Sequence, residues 1–198
     1  MGLSPITEKF GVMVGHGRTL ECIAWLEEGM RAIQPTAYHA VLGLDFLHHT
    51  NEVAALMTSF FDQCATKGQP AALYAEMNGF DINTDNWHFN LFGYASASTQ
   101  WDLEWLAHWD YGPSESFTLA GMESVQQAFA QFCNGADRSL GLRMAEAIGL
   151  HLVCARFMQL IASGHEQAAK QRDTLSILPV LATAHDWDDV QRTGPATS

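Results

Sequence analysis

The period of the apolar pattern changes twice along this chain, and those changes set its fold class. From 53 to 64, Val53, Leu56, Met57, Phe60 and Cys64 recur at the 3.6-residue spacing of a helix with one buried side. From 73 onward the period drops to two. Leu73, Ala75 and Met77 oppose Tyr74 and Glu76, and Trp87, Phe89, Leu91 and Gly93 oppose His88, Asn90, Phe92 and Tyr94. A third run, 103–111, sets Leu103, Trp105, Ala107, Trp109 and Tyr111 against Glu104, Leu106, His108 and Asp110. Strict alternation marks strands with one covered face. The helical period returns at Met122, Val125, Phe129 and Phe132, and is strongest over 139–162. There Leu142, Ala145, Ile148, Leu152, Phe157 and Leu160 fall on one side. Helices, then a sheet, then helices make an α+β fold.

The expected arrangement is a single domain over 1–198. It has a helical part at 4–67, an antiparallel meander of three to four strands at 71–119, and helices at 121–165. A polar tail follows at 166–198 with an edge strand near 177–182, interrupted by Pro179. The helices of the N- and C-terminal parts pack against the sheet. Within 4–67, Ser4-Pro5 starts one helix, Thr19 caps a second after the Gly15-His16-Gly17 break, and Lys67-Gly68 stops a third. Asn78-Gly79 and Asp85-Asn86 are turn-forming pairs between the first two strands. Trp101, Trp105 and Trp109 also stand at i, i+4, i+8, a helical rival for the third run, but the strand is preferred.

With 47% apolar residues, 198 residues can bury a core. The 22 acids against 10 bases leave a net charge of −12. That excludes nucleic-acid binding by phosphate neutralisation and docking on an anionic membrane. No apolar run is expected to reach the ~18 residues of a membrane span, and residues 1–6 lack a basic-then-apolar leader pattern. Cys22, Cys64, Cys133 and Cys154 lie too far apart for a CxxC motif. They read as buried thiols in a reducing, cytoplasmic setting.

The charge is unevenly spread. Between Lys67 and Arg138 there is no Lys or Arg, yet this stretch holds nine acids and Trp87, Trp101, Trp105 and Trp109. Carboxylates beside aromatic faces attract cations. The expectation is a cytoplasmic binding or interaction protein whose acidic, aromatic-bearing sheet face meets a basic protein or a cationic ligand. Glu76, Tyr94, Glu104, His108, Asp110 and Arg156 are the candidate binding residues. The plainer alternative is that the aromatics form the inner face of the sheet and the acids its solvated outer face. Arg156 stands mid-stripe between Leu152 and Leu160, where a guanidinium needs a partner. Acids of the base-free stretch or Glu146 are the expected partners. Either it forms a structural pair, or it lines a helix–sheet cleft and reads a carboxylate or phosphate. A homo-oligomer is compatible with either.

Nine histidines raise a second reading, a metal-dependent hydrolase. His88, His108 and Asp110 fall on the polar face of the expected meander, where two His and a carboxylate make a facial metal site. His48, His49 and Glu52 share one helical face by i, i+4 and i, i+3 spacing. His185-Asp186-Trp187-Asp188-Asp189 forms a third, C-terminal cluster. No cofactor is expected on the binding reading, whereas the hydrolase requires a divalent metal. GxSxG, P-loop and GxGxxG motifs are absent, and Gly15-His16-Gly17-Arg18-Thr19 is an anion-site candidate or a plain Gly-rich helix–helix turn.

Overall fold

The structure, a computed structural model, describes residues 3–97, 103–134 and 139–194. Trp101, Asp102, Asp137, Arg138 and the Cys133 side chain lie outside that description. Three helices open the chain: α1 (Leu3–Gly15), α2 (Thr19–Arg31) and α3 (Thr50–Ala65). Ile6, Phe10 and Met13 of α1 are buried together as their spacing predicts, as are Val53, Met57, Phe60 and Cys64 of α3. In α2 the apolar spacing is less regular. Cys22, Ile23, Leu26 and Met30 face the core, Leu20 is exposed, and Arg18 rather than Thr19 stands at the N-cap.

A five-stranded mixed sheet follows rather than a purely antiparallel meander. Its strands are β1 (Ala72–Met77), β2 (His88–Tyr94), β3 (Phe117–Thr118), β4 (Val180–Ala184) and β5 (Gln191–Thr193), in the order β3-β2-β1-β4-β5. β1 pairs antiparallel with β2 and parallel with β4. Between β3 and β4 the chain forms α4 (Glu123–Asn134), α5 (Leu140–Gln171) and the short α6 (Asp173–Ser176). Leu73, Ala75, Met77, Phe89, Leu91, Val180, Ala182 and Ala184 join the helices in the main core. A smaller cluster of Ala72, Tyr74, Tyr94 and Leu181 lies on the other face.

Further expectations are corrected. The 177–182 segment is no edge strand: β4 lies between β1 and β5 and all of it is buried. Pro179 stands just before β4, where its carbonyl accepts from Leu73 N at 3.0 Å and its missing N–H interrupts no ladder. The 103–111 run is no strand either. Only the end of the run reaches the sheet, where Tyr111 bridges Gly93, and the rest of the outer edge of β2 is taken by Ser114 against Leu91 and β3 against His88 and Phe89. Glu104–Ala107 winds into a 3₁₀ turn over the outer face. Finally, α5 runs nine residues past 162, because Gly164, His165 and Ala168 continue its buried stripe while Glu166 and Lys170 pair at 2.8 Å on the solvent side. By length and composition α5 contains an apolar stretch long enough to cross a membrane, contrary to expectation, and 67% of that stretch is buried inside this fold.

Cys22, Cys64 and Cys154 are buried and free, as their apolar surroundings predict. Burial pushes the Cys22 thiol up to about 12 and the Cys64 thiol up to about 11, so neither supplies a thiolate near neutral pH.

Candidate functional site

With α-helices on the inner face, the outer face of the sheet is where side chains meet solvent. Alternation along β1 and β2 sends Tyr74, Glu76 and Phe92 there. The parallel pairing sets Glu76 beside Thr183 and carries the chain on so that His185 N donates to Met77 O at 2.8 Å. The β4–β5 turn therefore overhangs the end of β1. Asp186 takes a left-handed φ of 61° in that turn, a conformation that Asp tolerates better than most residues. Trp187 turns inward, its ring 5.7 Å from Phe10 and 5.0 Å from His151. Asp189 lies against Gly11 of α1, where any Cβ would overlap its carboxylate. Thr183 Oγ1 donates to the Asp189 carbonyl at 2.7 Å and fixes the turn from the sheet side.

The opposite wall is the 3₁₀ turn. Tyr94 O–H donates to Leu106 O at 2.7 Å, and the Tyr94 ring meets Trp105 edge-on at 4.7 Å. Between the two walls lies a cleft of about 800 Å³. Glu76, Glu104, Asp186 and Asp188 line it together with the aromatic side chains of Tyr74, Phe92 and Trp109. No Lys or Arg lines it among the described residues. A second hollow of about 340 Å³ shares Glu76, Phe92 and His185 and continues over His88 and Asn90. Arg192, opposite Leu181 on β5, belongs to the same face of the sheet but does not line the cleft, and its Nε and Nη2 are buried without hydrogen-bond partners among the described residues.

His185 Nδ1 donates to Glu76 Oε1 at 2.9 Å. That hydrogen bond raises the His185 pKa above its ordinary value, overcoming the opposing effect of burial, and the charges of Glu76 and Asp186 add to the rise. Burial pushes the Tyr74 and Tyr94 hydroxyls upward, and the Glu76 charge adds to both shifts, so they stay protonated. Asp189 is raised by its own burial and then by Asp188. The cleft thus combines a negative field with aromatic faces, an arrangement that attracts positive charge.

Of the sequence-derived candidates, Glu76 and Glu104 line this cleft. Tyr94 lies beneath its wall as a strut. Asp110 accepts the Ala95 N–H at 2.6 Å, and His108 is exposed after the turn, outside the lining. Arg156 is on the other layer. It pairs with Glu27 of α2 at 2.7 Å rather than with Glu146, and it does not line the outer-face cleft.

The expected meeting of His88, His108 and Asp110 does not occur. Asp110 N bonds to Gly93 O, and Gly93 lies five residues along extended β2 from His88, roughly 17 Å away. His49 Nδ1 donates to Glu52 Oε2 at 2.7 Å and its Nε2 accepts from Ala120 N at 3.2 Å, so both ring nitrogens are occupied. The His48 ring lies 4.0 Å from that of His49, tilted by 42°. Among the described residues, no three or more His, Cys, Asp or Glu side chains are grouped to hold a metal ion. Arg18 binds Glu21 at 2.7 Å instead of helping to form an anion site at the start of α2.

His185, Asp186 and Asp188 are site residues that the sequence marks only as an acidic cluster. Their address depends on the β1–β4 pairing. The chain matches no protein-family model, no curated protein and no solved structure.

Proposed function

We propose that this protein binds a positively charged group in the outer-face cleft, either a small cationic ligand or a basic side chain on a partner. The observation that carries this reading is the cleft itself: four carboxylates line one concavity with the rings of Tyr74, Phe92, Trp109 and Trp187, and no Lys or Arg is among its described lining residues. Four negative charges in one cleft repel one another, and an entering cation relieves that repulsion. The concave shape favours an inserted group over a flat protein face.

The test is calorimetric titration with agmatine, spermidine and choline at ~0.02 M and ~0.3 M salt, a range over which screening of exposed charges becomes severe. The expected result is binding of at least one cation that weakens with salt and weakens further in Glu76→Gln and Glu104→Gln. Failure of all three to bind, or binding indifferent to salt and to both substitutions, overturns the reading.

A further inference from the structure

The cleft's aromatic row carries a more specific inference about the cation. Tyr74 and Phe92 have ring centroids 6.0 Å apart with planes tilted by 31°, and Phe92 and Trp109 stand 5.9 Å apart at 41°. Small tilts in succession make a curved wall of rings instead of an edge-to-face stack. Trp109, at the end of the row, is 46% exposed, an unusual position for an indole in a chain able to bury its aromatics.

Some of the polar atoms around this wall are committed to the fold. Glu76 Oε1 holds His185, Thr183 Oγ1 donates to Asp189 O, and Tyr94 O–H donates to Leu106 O. Asp186 stands at the rim with its side chain 90% exposed. The site thus offers negative field from its carboxylates and a π surface beside them. A guanidinium or primary ammonium brings several N–H donors, and each donor turned toward a ring instead of an acceptor loses its water partner and costs affinity. A trimethylammonium group carries charge without donors, and its methyl groups bury against rings.

We propose that the cleft prefers a trimethylammonium group to cations bearing N–H donors, a proposal that rests on the cationic reading above. The head group arrives either on a small molecule or on a trimethylated lysine of a partner.

The experiment titrates the whole protein by tryptophan fluorescence and calorimetry with choline, ethanolamine, a trimethyllysine peptide and dimethylbutanol, the neutral carbon isostere of choline. Choline is expected to bind about tenfold tighter than ethanolamine and than the isostere, the range of a desolvated cation–π contact. Trp109→Ala should lower choline affinity about tenfold with the melting midpoint unchanged, because the indole is exposed and not core. Phe92→Leu, which keeps apolar bulk and removes the π face, should show the same loss. If choline binds tighter than the peptide, or the reverse, the head group is supported and the source identified. Ethanolamine binding as tightly as choline overturns this inference and leaves the cationic reading standing. The isostere binding as tightly as choline overturns both, and so does a failure of every cation to bind.

Discussion

Arg156 of α5 and Glu27 of α2 meet at 2.7 Å with 13% and 14% of their side chains exposed, a charge pair inside the helical layer. Glu27 also takes Arg31 at 2.8 Å and the Gly43 N–H at 3.3 Å, and Arg156 reaches Gln159 at 3.1 Å. Burial alone would raise the Glu27 pKa; the bonds from Arg31, Gly43 and Arg156 together outweigh it and lower the pKa. The pair locks α2 to α5 and lies away from the cleft. Arg156→Met should therefore cost about 3 kcal/mol, the low end for breaking a buried pair because Arg31 stays on Glu27. Urea unfolding measures the loss. A variant of normal stability that no longer binds cations would instead make Arg156 a ligand clamp.

His151 and His165 give the fold an acid-sensitive side. Burial lowers both pKa values below 6.5, the bonds to the Ala147 and Leu175 carbonyls opposing it only in part. The unfolded chain then binds more protons than the folded one in the window below 6.5. Stability is complete above that value and falls as pH drops through it toward the folded pKa values. Melting midpoints should fall by several degrees between about pH 7.5 and 5.5, at ~2–4 °C per kcal/mol for this size.

His151→Phe should flatten part of that slope. His151 Nε2 is buried with no hydrogen-bond partner among the described residues, and Phe10 and Trp187 already pack edge-on against the ring. An apolar ring there loses the 2.6 Å bond to Ala147 O but removes an unmet acceptor, so stability at neutral pH should change by less than about 1 kcal/mol. Retention of the full pH slope in this variant would rule His151 out as a contributor.

Tyr94→Phe should separate wall from floor. Removing the 2.7 Å bond to Leu106 O costs about 1 kcal/mol and frees the 3₁₀ turn that carries Glu104. Cation affinity should fall severalfold although Tyr94 touches no ligand. The check is parallel measurement of urea midpoint and Kd.

Cation binding should strengthen as pH rises through the raised His185 pKa. Protonated His185 is itself the cation facing Glu76, with Asp186 at 3.6 Å, so an incoming positive charge competes with that proton. Below that pKa affinity is lowest; above it Glu76 is released. Titrations across about pH 6–8.5 should show this step, and His185→Gln should abolish it.

Much of this was legible from periodicity. The core faces of α1 and α3, and the two faces of β1 and β2, follow from spacing alone, because local burial repeats with the backbone. Leu103 to Tyr111 misled because alternation records which side chains are apolar, not whether a partner strand is available. Trp105 and Leu106 are adjacent in sequence yet both pack on the outer cluster, as a tight turn allows and a strand does not. β4 was obscure for a different reason. A strand covered on both faces loses its alternation, and its partner β1 lies about a hundred residues earlier. The same distance hid half of the cleft. Glu76 and Glu104 stand out in the charge map, but only the β1–β4 register brings His185, Asp186 and Asp188 to them.

The central place of β1 also bears on how the chain is made. A nascent chain can zip β2 onto one side of β1 as soon as residue 94 emerges, but the other side waits for residues 180–184. Until then Leu73 to Met77 present an open row of amide and carbonyl groups flanked by apolar side chains, a template for the wrong neighbour. For about half of its length the growing chain leaves open an edge of the strand that the finished sheet pairs on both sides.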